Sequence, residues 1–146
     1  MLNKQIEKIE KLYQNTKIDY DEIMNLKDID LNIFNDIYNI RLINNFLFNF
    51  SKLQDYIGAK FFKNLLYNLK EIDTFSIPMK DVLNILEKLE IVNKQEWEEI
   101  REIKNFLSHE YPDENEEKLE NLLLALRGFE KIEKIINKIK EYKNAI

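Results

Sequence analysis

Glycine and proline, the residues that most often interrupt regular structure, occur only twice each in the 146 residues of this chain. Average usage near 7% and 5% would supply roughly ten and seven. Glycine and proline provide most of the tight turns in proteins, so a chain with so few of them has few places to turn. Long helices are therefore favoured.

Apolar residues repeat at spacings of three and four, the period of an amphipathic helix. The first stripe predicts a helix that ends near Asn15; it consists of Leu2, Ile6, Ile9, Leu12 and Tyr13. A second helical pattern covers residues 30–69. These residues would span ~60 Å at 1.5 Å per residue, longer than a small domain is wide, which predicts a bend or break near Gly58.

The second half of the chain shows the start signals of three more helices. Residues 74–78 lack periodicity and predict a loop, with Pro78 suited to the first turn of the next helix. Asn93 with Glu96 resembles a capping box that starts a helix at Lys94, which Pro112 should end.

Asp113, with Glu116 three residues later, is a candidate cap for a last long helix. Its apolar stripe runs from Leu119 to Ile139. No segment has the pattern of a strand. We expect an all-α fold, an up-and-down bundle of about five helices that forms a single domain over residues 1–146.

Composition excludes several classes of site and location. With no cysteine and one histidine, the chain cannot form disulfides, thiolate sites or zinc sites built from Cys and His, although a carboxylate-only site for a hard metal stays open. A net charge of -5 disfavours non-specific coating of nucleic acid but permits a local basic groove. The polar start and the lack of a long apolar run predict a cytoplasmic protein without a membrane span.

One helix carries most of the candidate chemistry. At about 100° per residue, its polar side chains share one arc: Arg101, Lys104, Asn105, Ser108 and His109. The opposite arc, predicted to face the core, contains Ile100, Ile103, Phe106 and Leu107. His109 is therefore predicted to be displayed, although a lone histidine near a helix C-terminus is also an ordinary partner of the helix dipole.

Residues 97–112, WEEIREIKNFLSHEYP, resemble the signature helix of the HEPN-domain ribonucleases, in particular the HepT-like toxins. The family motif is Arg, usually followed by Asn, with four residues between Arg and His, then any residue and Tyr. Asn105, His109 and Tyr111 match it in type and spacing, whereas Lys104 stands where the family has Arg. Residues 50–60 and 82–91 resemble two further conserved helices, so the likeness covers about residues 40–120.

The resemblance implies a toxin that cleaves RNA without a metal or any other cofactor. His109 would accept a proton from the ribose 2′-OH, Lys104 would stabilise the phosphorane, and Asn105 would position the phosphate or orient the imidazole. The site would be composite, formed by two copies at a homodimer interface. Tyr111 would be the residue that a cognate nucleotidyltransferase antitoxin adenylylates.

Lys104 is the departure from the family that leaves enzymatic activity open. An ammonium cannot hold two phosphate oxygens in the fixed fork of a guanidinium. Losing one transition-state donor typically costs about 10²- to 10³-fold in rate. Arg101 lies on the same arc and could partly substitute, while Lys52 and Asp55 either line the site or form a surface ion pair.

Two other functions stay open. The chain could be a non-catalytic helical subunit that presents substrate or nucleotide to a nucleotidyltransferase, or a helical scaffold without a nucleic-acid role. The aromatic residues between Phe34 and Phe62 favour a core and dimer interface over a base-stacking platform.

Overall fold

The structure is a computed structural model that describes residues 1–107 and 114–144, and within these ranges it is helical without strands. The α-helices are α1 (Leu2–Met24), α2 (Ile37–Tyr56), α3 (Phe62–Asn68), α4 (Met79–Lys88), α5 (Lys94–Leu107) and α6 (Asn115–Lys140). A π-helical turn, Ile57–Phe61, joins α2 directly to α3. If α2 and α3 are counted as one interrupted helix, the described residues form five long helical segments, the number that was predicted.

Four helices form a ring in which each neighbour runs in the opposite direction. The direction of each pair follows from the contacts that join its helices. For α1 and α2 these contacts are Asp19 with Asn45 and Lys8 with Tyr56. For α2 and α5 they are Asp55 with Lys104 and, just past the end of α2, Gly58 with Trp97. For α5 and α6 they are Glu99 with Lys131 and Ile103 with Gly128, and for α1 and α6 they are Tyr13 with Glu133 and Tyr20 with Glu130. The predicted up-and-down bundle is confirmed.

One connected apolar core contains side chains from all six α-helices. Its centre is aromatic: the ring of Phe129 on α6 lies 6.0 Å from that of Phe46 on α2 and 4.9 Å from that of Tyr20 on α1. Helix α4 adds Val82, Leu83 and Leu86 to the core. No helix in the described ranges is long and apolar enough to cross a membrane.

The predicted end of the first helix near Asn15 is wrong, because α1 continues to Met24. Its inward positions beyond Tyr13 include Thr16 and Asp19, which are polar but buried. The Thr16 hydroxyl donates to the Leu12 carbonyl at 2.7 Å, and Asp19 accepts hydrogen bonds from two asparagine amides of α2. Partnered polar side chains thus extend the buried stripe without extending the apolar pattern.

The pattern predicted over residues 30–69 is divided by a cap. Residues Leu31–Asn35 form a 3-10 helix, after which Asp36 has an extended backbone and its carboxylate accepts from the Tyr38 amide at 2.8 Å. Near Gly58, the predicted interruption is the π-helical turn.

The predicted start of a helix at Lys94 is confirmed, with the Asn93 side chain accepting from the Glu96 amide at 3.0 Å. Pro78 immediately precedes α4. The cap of α6 is Glu114, instead of the predicted Asp113. Asp113 and Pro112 lie outside the described residues.

Candidate functional site

Helix α5, which carries the candidate site, packs against the continuous helical segment formed by α2, the π-helical turn and α3. Trp97 is buried and meets the Phe62 ring edge-on at a centroid distance of 4.7 Å. A Cβ atom at Gly58 would lie only 2.9 Å from Cζ2 of Trp97, so the indole occupies the space that a side chain at position 58 would need. This contact fixes how α5 is aligned along α2.

Two turns further along α5, the alignment brings two candidate site residues together. The Lys104 ammonium lies 2.9 Å from Oδ1 of Asp55 on α2, with 21% of the lysine side chain and 56% of the aspartate side chain exposed. Ion pairs this accessible contribute at most about 1 kcal/mol to stability. The pair therefore contributes little to stability, and its main effect is to hold the Lys104 ammonium at the contact between α2 and α5.

The other described candidates lie nearby on exposed surfaces. Arg101 is one helical turn before Lys104, and Asn105 follows it directly; both side chains are exposed. Lys52 is exposed on α2, and within the described part of the chain no ion pair joins it to Asp55. Of the two alternatives for these residues, lining the site or pairing with each other on the surface, the structure does not form the second, because Asp55 pairs with Lys104.

His109 and Tyr111, the predicted base and modification site, lie outside the described residues, as does Ser108. Their roles stay predictions.

The predicted core face of α5 is correct except at one position. Ile100 is fully buried and Ile103 and Leu107 are half-buried, but 57% of Phe106 is exposed. At about 100° per residue, Phe106 lies at the edge of the apolar arc of α5. No neighbouring helix in the described structure covers that edge, so its ring faces solvent.

The arrangement can bind an anion but gives no described metal site. A guanidinium, an ammonium and a carboxamide follow one another on one arc of α5, with Arg101 and Asn105 exposed and Lys104 half-buried. Such groups donate to phosphate oxygens. Among residues 1–107 and 114–144, no three His, Asp or Glu side chains are grouped to hold a metal ion.

The Asp55–Lys104 contact depends on the alignment of two helices, and neither helical pattern alone contains that information. Spacing on α2 pointed only to Lys52 as a partner of Asp55.

No protein-family model matches this chain, and neither a curated protein nor a solved structure does. Its function is therefore inferred from its own residues and their geometry.

Proposed function

We propose that this chain is the toxin of a toxin–antitoxin pair: a metal-independent ribonuclease with a composite site at a homodimer interface, silenced by a nucleotidyltransferase antitoxin that adenylylates Tyr111. The observation that carries the proposal is the Lys104–Asp55 ion pair. It joins the two helical segments on which the resemblance to HEPN ribonucleases depends.

Cleavage without a metal needs a base, an acid and a cation. The ribose 2′-oxygen attacks phosphorus while its proton passes to the neutral imidazole of His109. The protonated imidazole of the second copy gives its proton to the departing 5′-oxygen, because each chain has a single histidine. Lys104 stabilises the phosphorane charge. The products are a 2′,3′-cyclic phosphate and a 5′-hydroxyl.

Adenylylation of Tyr111 would silence this site in two ways. The added phosphate would compete with RNA phosphate for the Lys104 ammonium, and the added nucleoside would obstruct the site. Tyr111 is two residues after His109, so a single modification would act next to the proposed base.

The test is RNA cleavage in EDTA by the wild type and the Lys104→Arg and His109→Ala variants. We expect cyclic phosphate ends from the wild type, a rate increase of up to ~10²- to 10³-fold for Lys104→Arg because the fork donor is restored, and no cleavage by His109→Ala. Lys60→Arg, at an exposed lysine of the π-helical turn, is the matched control and should match the wild type. Pretreatment with the nucleotidyltransferase and ATP should suppress cleavage by the wild type but not by Tyr111→Phe.

The Asp55 contact also favours a second candidate, a non-catalytic partner subunit of a nucleotidyltransferase. The carboxylate of Asp55 already opposes the charge of Lys104, and an ammonium has no fork geometry. Equal inactivity of the wild type and Lys104→Arg on tRNA and mRNA, with retained binding of the nucleotidyltransferase, would support this candidate and contradict the ribonuclease.

A further inference from the structure

Helix α2 has an exposed strip, at one end of which Asp55 pairs with Lys104 of α5. Arg41, Phe48 and Asp55 are spaced seven residues apart, so they lie on one side of the helix. Phe48 is 65% exposed, and Arg41 and Asp55 are also exposed. In protein interfaces aromatic side chains are enriched at the core and polar side chains lie at the rim, an order that Phe48 between two charges would fit.

The charges on this strip are arranged so that it complements itself. A cation lies seven residues before Phe48 and an anion lies seven residues after it. If a second copy packs antiparallel about a two-fold axis at Phe48, each Arg41 lies opposite an Asp55, ~10 Å from the axis. A parallel pairing would instead place Arg41 against Arg41 and Asp55 against Asp55.

We propose that this strip is the dimer interface, and that it delivers Arg41 of the partner subunit to Asp55, beside Lys104. This deepens the proposed function and rests on it for the role of Arg41. Asp55 would then accept from two cations, Lys104 of its own chain and the partner's Arg41. The guanidinium that the resemblance expects at position 104 is thereby supplied from the second copy.

Cysteine cross-linking tests the two-fold axis, because the chain has no cysteine of its own. Phe48→Cys places both thiols at the axis and should give a disulfide-linked dimer on mild oxidation. Tyr38→Cys is the matched control: it is on the same helix and 75% exposed, yet its two copies would lie ~30 Å apart. Equal cross-linking at both positions, or a wild type that sediments as a monomer at micromolar concentration, would overturn the proposal.

Charge reversal tests the pairing without removing Phe48. Arg41→Asp or Asp55→Arg alone should raise the dimer Kd by ~10-fold or more, and the double variant should restore it, because the pairs are re-formed with exchanged signs. Lys11→Asp, an exposed position on α1, is the control and should leave the Kd unchanged. If the double variant loses as much dimerisation free energy as the two single variants lose together, the antiparallel pairing is contradicted.

RNA cleavage separates the two proposals. If the dimer Kd responds to the charge reversals as expected but the wild type cleaves no RNA, the interface stands and the ribonuclease is rejected. If a monomeric Phe48→Glu variant cleaves RNA at the wild-type rate, the role of Arg41 in the second copy is rejected.

Discussion

Each of the two glycines of the chain lies against an aromatic ring of another helix. A Cβ at Gly58 would come within 2.9 Å of the Trp97 ring, and one at Gly128 within 3.0 Å of the Phe50 ring. Neither glycine has a positive φ. Both are therefore needed for their lack of a side chain, and Gly58 sets the alignment by which Asp55 meets Lys104.

Gly58→Ala should lower the free energy of unfolding by about 1 kcal/mol. Overpacking against Trp97 costs about 1–3 kcal/mol, and the higher helix propensity of alanine offsets about 1 kcal/mol of that cost. In a Trp97→Phe background the ring atom nearest to the new methyl group is absent. There, Gly58→Ala should be neutral or stabilising. Urea denaturation of the four proteins measures the coupling between the two positions. An equal effect of Gly58→Ala in both backgrounds would contradict the close-contact explanation.

At the scale of the helix, α3 and α4 end in the same motif, with a non-glycine residue in the left-handed region. Lys70 has φ 62° and Glu90 has φ 59°. In each case the next amide donates to a carbonyl five residues earlier, Glu71 to Leu66 at 2.9 Å and Ile91 to Leu86 at 3.0 Å. These are Schellman motifs, in which glycine is the favoured residue.

Glu90→Gly should raise the free energy of unfolding by about 1 kcal/mol, because it removes the steric cost of a Cβ in the left-handed region. Glu90→Ala is the control, since it removes the carboxylate but keeps the Cβ, and it should give no such gain. Lys138 donates to the backbone carbonyl of residue 90, so neither variant removes that hydrogen bond. Thermal denaturation compares the two variants, and equal midpoints would show that the left-handed φ is not the cause.

The helices could be predicted from the sequence where their signals are local. The start of α5 at Lys94 followed from the Asn93 cap. The end of α1 could not be predicted, because Thr16 and Asp19 are buried polar residues and Asp19 has its partners on α2. The site shows the same difference. The exposure of Asn105 could be predicted from the period of its own helix, whereas the Asp55–Lys104 pair depends on how two helices are aligned.

At the scale of the whole molecule, the contact between α1 and α6 closes the helical ring. The Tyr13 hydroxyl donates to the Glu133 carboxylate, and the Tyr20 hydroxyl donates to Glu130 at 3.0 Å. Burial, and then the hydrogen bond to Glu130, raise the pKa of Tyr20 to about 12. Burial and Glu133 also raise the pKa of Tyr13. The first and last helices are thus joined by phenols that must stay protonated.

This contact should make the fold sensitive to alkali. In the unfolded chain a tyrosine has a pKa near 10, so above that pH the unfolded state releases a proton that folded Tyr20 retains. The stability linked to Tyr20 is therefore fully present below pH ~10 and is lost as the pH rises toward the folded pKa of about 12. The free energy of unfolding should fall across this interval.

Urea denaturation at a series of pH values measures this loss, and Tyr20→Phe isolates its source. The variant should lose less stability than the wild type between pH ~10 and ~12, because one titrating group has been removed from the linkage. Lysines also lose their charge in this range, but they do so in both proteins and cancel in the difference. Tyr38→Phe, at an exposed tyrosine, should follow the wild type. Parallel curves for Tyr20→Phe and the wild type would mean that Tyr20 ionises as readily in the folded bundle as in the unfolded chain, and that its proton does not hold α1 to α6.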